Sequence, residues 1–151
     1  MDEIELHRAG SSEVSIVSEI TNAAYCKYIP LIGREPQPMT ANYDRMIGEG
    51  AEVWLLSLSK QPAGVLVLVE EPDCLLIYSV AIKPEYQNRG LGRRLLRLAE
   101  ERAAANGHRL IRLYTNEKFE ENIRLYEQLG YQITGREPMM NSIVVHMAKQ
   151  R

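Results

Sequence analysis

The sequence predicts a single mixed α/β sheet with helices packed on both faces. Three observations carry that reading. First, the chain has 151 residues, 45% hydrophobic and 25% charged, the composition of one globular domain. Second, residues 53–58, 65–69 and 75–82 are three apolar runs separated by Lys60-Gln61-Pro62 and Glu71-Pro72-Asp73. Apolar runs with such short turns between them predict an antiparallel meander. Third, a helical stretch over 91–105 leads to another strand over 110–114. Strand, helix and strand in that order imply a parallel pair joined by a right-handed crossover. No linker, internal repeat or low-complexity tract divides the chain, so residues 1–151 read as one domain. At this length a chain buries roughly 70% of its unfolded surface, enough for a substantial core.

Each element has its own local reason. Ile4 and Leu6 alternate with Glu5 and His7, a short first strand. Ser11-Ser12 precedes a helix whose stripe is Ile16, Ile20 and Ala24, spaced i, i+4, i+8. Residues 25–38 carry Pro30, Gly33, Pro36 and Pro38 and read as an irregular loop. The loop keeps Tyr25, Tyr28, Ile29, Leu31 and Ile32, so it is expected to pack on something. A short helix follows over 42–47, closed by Gly48 and Gly50. The nearly continuous apolar strand 75–82 reads as buried on both faces, and Pro84 ends it. In the 91–105 helix, Leu91, Leu95, Leu98 and Ala99 share one face, and Asn106-Gly107 stops it. A helix over 119–129 is stopped by Gly130, and strands over 131–134 and 143–147 close the fold. The order is β-α-α-β-β-β-α-β-α-β-β.

Composition narrows the function classes. The net charge is −2 and the pI about 6.0, so no global basic field invites nucleic acid. Cys26 and Cys74 are too few for a disulfide framework or a cysteine zinc site. His7, His108 and His146 are scattered without an i, i+4 pair, so no metal site is expected, and His146 in the terminal strand reads as structural. No apolar run approaches the ~20 residues of a membrane span. The acidic start, Met1-Asp2-Glu3, lacks the basic-then-apolar pattern of a signal peptide. The expectation is a cytoplasmic domain with neither nucleic acid nor membrane as partner.

The most informative stretch is Lys83-Pro84-Glu85-Tyr86-Gln87-Asn88-Arg89-Gly90-Leu91-Gly92-Arg93-Arg94, which joins a buried strand to a helix start. A helix start leaves backbone N–H groups unpaired and carries partial positive charge. Gly90 and Gly92 let that backbone approach a ligand closely. Arg89, Arg93 and Arg94 add formal charge. Together these residues read as a pyrophosphate cradle. The stretch is neither a P-loop, which needs G-x-x-x-x-G-K-[ST], nor a dinucleotide fingerprint, whose last position here is Leu95. Read alone, the glycines also suit a tight helix entry with no ligand.

The run Gln87-x-x-Gly90-x-Gly92 resembles the [Q/R]-x-x-G-x-[G/A] loop of the GNAT superfamily of N-acetyltransferases. Val80-Ala81-Ile82-Lys83-Pro84-Glu85-Tyr86 resembles the strand end and turn before that loop. Asn122-Ile123-Arg124-Leu125-Tyr126-Glu127-Gln128-Leu129-Gly130-Tyr131 resembles the final family helix. The likeness covers about residues 75–147; the first half agrees only in element order. It implies a sheet that splays at its fourth and fifth strands, with acetyl-CoA in the gap. The pyrophosphate would rest on Gln87, Asn88, Arg89, Gly90, Leu91, Gly92 and Arg93. The pantetheine arm would lie along Val80, Ala81 and Ile82.

The resemblance also implies site residues. Tyr126 matches the tyrosine that protonates the departing thiolate. Asn122 lies one helical turn earlier on the same face and is expected to reach the cofactor; Phe119 stands where many relatives carry the helix asparagine. Asn116 is a second candidate, for capping that helix or contacting the cofactor. Tyr25, Tyr28, Arg34 and Tyr43 lie where relatives place the acceptor wall. Tyr78 stands near a strand position where some relatives carry a glutamate base, and no carboxylate falls within 75–82. The expected reaction moves acetyl from acetyl-CoA to a primary amine of a small molecule, amino acid or peptide. The alternatives are a non-catalytic CoA-binding module and a nucleotide-binding regulator. A homodimer paired through residues 143–145 at a sheet edge is a further expectation.

Overall fold

A computed structural model describes residues 3–151. Met1 and Asp2, on which the reading of the acidic start partly rests, lie outside the described residues. The strands are β1 (Ile4–Arg8), β2 (Glu52–Leu58), β3 (Gln61–Glu70), β4 (Leu75–Ile82), β5 (Leu110–Asn116), β6 (Gln132–Met139) and β7 (Ser142–Gln150). The main helices are α1 (Val14–Tyr25), α4 (Tyr43–Gly48), α5 (Leu91–Ala105) and α6 (Glu120–Gln128). Seven strands form one sheet in the order β1-β2-β3-β4-β5-β7-β6. Only β4 and β5 run parallel. Among the described residues no helix is long and apolar enough to cross a membrane, and no cluster of His, Cys, Asp and Glu suits a metal.

Strand alternation builds two cores. On one face Leu56, Leu66, Leu68 and Ile77 pack under Leu91, Leu95 and Leu98 of α5 and Tyr126 of α6. On the other, Val53, Leu55, Val65 and Val67 pack under Val17 and Ile20 of α1 and Tyr43 of α4. Helices on both faces therefore follow from the period-2 pattern of a sheet buried on both sides. Glu52 is buried at the end of β2 and is satisfied there. It accepts from Arg102 Nε (2.8 Å), Arg102 Nη2 (3.1 Å), Trp54 Nε1 (3.0 Å) and Asn106 Nδ2 (3.1 Å). Burial alone would raise its carboxyl; these donors outweigh that and hold it at about 2.

Two expectations are corrected. Residues 25–38 are not irregular: a turn of 3₁₀-helix at Cys26–Tyr28 leads into α2 (Ile29–Ile32), and α3 (Gln37–Thr40) follows. Pro30 and Pro38 sit in the first turn of these short helices, where a missing N–H costs nothing, so they start helices rather than break them. Residues 143–145 are not at an edge. β7 runs between β5 and β6, because the hairpin at Met140 and Asn141, both left-handed (φ 50° and 63°), folds β6 outward as the edge strand. Paired on both sides, β7 offers no edge to a second copy.

Two sheet irregularities position the site. Val67 pairs with Ser79 and Leu68 with Ile77, so Tyr78 is the extra residue of a β-bulge. The parallel β4–β5 pairing covers only Leu75, Leu76 and Ile77 against Ile111, Arg112 and Leu113. Beyond Ile77 the two strands part, and residues 114–116 of β5 pair with β7 alone.

Candidate functional site

Two cavities open where β4 and β5 part. One, of about 310 Å³, runs along Val80, Ala81 and Ile82 to the loop at Gln87, Asn88, Gly90, Leu91, Gly92 and Arg93. The other, of about 240 Å³, lies between the 25–38 segment and the β6–β7 hairpin. They meet at Tyr25, Val80, Asn122 and Tyr126, which line both.

The first cavity ends at the start of α5. Gly90 is the helix N-cap in the left-handed region (φ 80°), and Asn88 is left-handed too (φ 63°). The first α5 amide bonded within the helix is that of Arg94, to Gly90 O at 3.1 Å. The helix gives Leu91, Gly92 and Arg93 N–H no acceptor, and no side chain caps them. A Cβ at Gly90 would meet nothing within 4 Å, and one at Gly92 only Leu125 Cδ2 at 3.7 Å. The glycines are therefore not demanded by packing. An open row of backbone donors at a helix N-terminus, with Arg93 beside it, fits a pyrophosphate.

The loop's polar side chains divide their work. Gln87 lines the groove, but its Nε2 donates to Ile82 O (2.9 Å) and its Oε1 accepts from Lys27 Nζ (3.4 Å). Arg93 lines the groove and donates from Nη2 to Gln128 Oε1 at 2.5 Å. Arg89 does not line it. Its guanidinium lies 5.6 Å from the centroid of the Tyr86 ring and donates to Glu85 O (3.4 Å). Its neighbours Asn88 and Gly90 are both left-handed. Arg94 is half-buried on the helix and also lies outside the lining, with its Nη1 buried and lacking an acceptor.

The inner strand supplies backbone. Lys83 N–H donates to Ala63 O of the β3 side (2.9 Å), so by alternation Val80 and Ile82 turn their N–H and C=O toward the splay. Their carbonyls are met there by Tyr25 Oη (3.3 Å to Val80 O) and Gln87 Nε2.

Tyr126 is buried at the junction, its ring edge-on to Tyr131 (centroids 6.1 Å apart). Burial, with the nearby Tyr25 and Tyr28 phenols, pushes its hydroxyl well above the usual range, so it stays protonated at neutral pH. Asn122 faces the same junction, and Tyr28 lines the first cavity beside it. Asn116, the other candidate, lines only the second cavity, where its Oδ1 accepts Lys118 N–H at 3.0 Å.

Of the four residues expected at the acceptor wall, two, Tyr25 and Arg34, line the second cavity. Tyr78, the bulge residue, lines it, its hydroxyl pushed up to about 12 by burial. Arg34 lines it and donates to Met140 O (3.2 Å), tying the 25–38 segment to the hairpin. Tyr28 does not. It lines the first cavity and stacks on Phe119 (centroids 4.0 Å apart, planes 23° apart). Tyr43 is core, 2% exposed, its hydroxyl donating to Pro38 O. Tyr25 lines both cavities, and its hydroxyl also lies 3.4 Å from Ser79 Oγ. Sequence reasoning missed Tyr114 and Glu137, and it read His146 as structural. His146 Nε2 lies 2.7 Å from Glu137 Oε1, and both line the second cavity. The available signal was strand alternation: on adjacent strands of one hairpin, the two fall on the same face.

Comparison with known proteins bears on the fold and the family. Residues 17–131 match the Acetyltransferase (GNAT) family. A search of curated proteins finds no match. Among solved structures, the PaiA N-acetyltransferase from Thermoplasma acidophilum in complex with coenzyme A superposes with a TM-score of 0.81. It is 15% identical, with 99% of each chain covered. A GNAT family acetyltransferase from Elizabethkingia anophelis with acetyl-CoA bound gives 0.73, at 15% identity and 98% of each chain. The ribosomal-protein-S18-alanine N-acetyltransferase from Escherichia coli gives 0.79, at 20% identity, covering 99% of this chain and 94% of that one. At these identities the likeness is one of fold. The family match spans well over half of the sequence, and the chain belongs to the GNAT family of acetyltransferases.

Proposed function

We propose that the protein transfers an acetyl group from acetyl-CoA to a primary amine of a small molecule, amino acid or peptide, in the cytoplasm. The observation that carries this reading is the shared wall: Tyr25, Val80, Asn122 and Tyr126 line both cavities. A site that only held CoA needs no second cavity opening on the thioester end. The bound structures of the family relatives support acetyl-CoA as the first substrate.

Each residue then has a task. The Leu91, Gly92 and Arg93 amides and the Arg93 guanidinium hold the pyrophosphate. Val80 and Ile82 turn backbone donors and acceptors toward the pantetheine arm. The Val80 N–H, beside the Tyr78 bulge, faces the negative charge that develops on the thioester oxygen. Tyr126 is the only phenol in both cavities that also stands on α6, one turn from Asn122, and it gives its proton to the departing thiolate. Tyr78 and Arg34 shape the acceptor side.

The test combines binding and turnover. CoA and acetyl-CoA are expected to raise the melting temperature. CoA thiol is expected to appear when amino acids, peptides or small amines are added with acetyl-CoA. Absence of CoA binding at millimolar ligand would sink the reading. Binding without thiol release from any amine would favour a non-catalytic CoA-binding module.

A further inference from the structure

The reaction proposed above leaves a proton unassigned. An ammonium acceptor must lose one proton before its nitrogen can attack, and β4 carries no carboxylate beside the splay. The acceptor cavity itself narrows the choice. Its phenols, Tyr25, Tyr78, Tyr114 and Tyr126, are all pushed upward by burial and stay protonated. Arg34 is a permanent cation. Gln37, Ser79, Thr115 and Asn116 do not titrate. Glu121 lines only the cofactor groove. Among the described residues of the cavity, this leaves His146 and Glu137.

We infer that His146, held by Glu137, is the general base that takes the proton of the acceptor ammonium. The inference rests on the acetyltransferase reading above. Its geometry comes from three strands. β7 carries His146 opposite Tyr114 of β5, and the two rings stand 6.1 Å apart. β6 carries Glu137, whose Oε1 lies 2.7 Å from His146 Nε2. A carboxylate only accepts, so the neutral ring carries its hydrogen on Nε2 and leaves the Nδ1 lone pair free for a proton. Glu137 on β6 hydrogen-bonds the ring and Tyr114 on β5 faces it; the other charged and titratable groups of the cavity are Tyr25 on α1, Tyr78 on β4, Tyr126 on α6 and Arg34.

The protons balance. His146 Nδ1 takes one from R–NH₃⁺ and becomes imidazolium. The freed lone pair forms the C–N bond as the thioester C–S bond breaks. Tyr126 protonates the sulfur, and the second nitrogen proton restores Tyr126. The imidazolium returns its proton to solvent. The net products are the amide, CoA thiol and one proton.

The test is the pH profile of CoA thiol release by the full chain, from pH 6 to 10, with the best amine of the panel. In His146→Gln, kcat/KM is expected to fall about 10²–10³-fold at pH 7, the usual size of a general-base term. The gap should close to a few-fold as the pH passes the amine's own pKa, about 8 for an α-amine and about 10.4 for an alkyl amine, where the amine deprotonates itself. Glu137→Gln, which keeps a hydrogen bond but loses the charge, should fall about tenfold. His146→Asn should behave as His146→Gln. CoA affinity should stay within twofold of wild type in all three, which shows the groove intact. Wild-type kcat/KM at pH 7 in His146→Gln overturns the inference, and so does a deficit that stays constant with pH. A wild-type chain that neither binds CoA nor acetylates any amine overturns the acetyltransferase reading and this inference with it.

Discussion

Replacing Gly90 with aspartate separates anion binding from stability. Gly90 is left-handed at φ 80°, and a Cβ there meets nothing within 4 Å. The steric cost of Gly90→Asp is then the backbone strain alone, about 1 kcal/mol. Two local gains offset it. Aspartate tolerates the left-handed region better than most residues, and at an N-cap it accepts from the first-turn amides and complements the helix dipole. Stability should change by less than about 1 kcal/mol. Binding should change far more. The new carboxylate occupies the amides of Leu91, Gly92 and Arg93 that the pyrophosphate needs. It also repels the pyrophosphate, by about 1 kcal/mol per charge at 4 Å in water and about 4 at an effective dielectric of 20. Two phosphate charges make the loss at least about 2 kcal/mol, roughly 30-fold in Kd. Calorimetric titration with CoA reads the affinity, and thermal melting reads the stability. Raising salt to 1 M should narrow the gap, because the Debye length falls to about 3 Å. Gly90→Ala is the control: strained but uncharged, it should bind CoA within about threefold of wild type. Wild-type affinity in Gly90→Asp, or an equal loss in Gly90→Ala, would refute the cradle.

The parts of the site that sequence reveals are those whose chemistry is local. A pyrophosphate cradle is a run of consecutive residues, so Gly90, Leu91, Gly92 and Arg93 are legible as one word. Asn122 and Tyr126 are legible as a pair because helical spacing alone puts them on one face. The limits of locality show within the same loop. Whether Arg89 or Arg93 faces the cavity depends on the left-handed turns at Asn88 and Gly90, which spacing does not give. The acceptor cavity is assembled from distant segments: Arg34 reaches Met140 across 106 positions, and Tyr114 reaches Gln37 across 77. Tyr25 and Tyr28 are three residues apart, yet only Tyr25 touches both cavities, because Tyr28 is held under Phe119. Residues 143–145 come last in sequence but not last in the sheet, since the hairpin carries β6 past β7.

Glu52→Gln breaks the buried pair with Arg102 and should cost at least about 2 kcal/mol by urea denaturation, since removing one partner of a buried pair is strongly destabilising. The wild-type carboxyl is held at about 2, below its ordinary value of 4.5. Its contribution is therefore complete above pH 4.5 and fades as the pH falls toward 2, an acid loss that Glu52→Gln should lack. Gly64→Ala places a Cβ 2.7 Å from Ile82 Cδ1 and 3.2 Å from Ala81 O. It should lower the melting temperature by about 2–8 °C for a cost of about 1–2 kcal/mol. It should also weaken CoA binding measured by calorimetry, because Ile82 lines the groove; unchanged affinity would place Ile82 outside it.

Tyr126 is the buried phenol between the two cavities and the proposed proton donor. The direct measurement is the turnover of Tyr126→Phe at saturating acetyl-CoA, read as CoA thiol release beside the CoA dissociation constant. If Tyr126 is the acid, kcat falls by about 10²–10³-fold while CoA affinity stays within twofold of wild type. Undiminished turnover would contradict that role, since the thiolate would then be leaving without the Tyr126 proton.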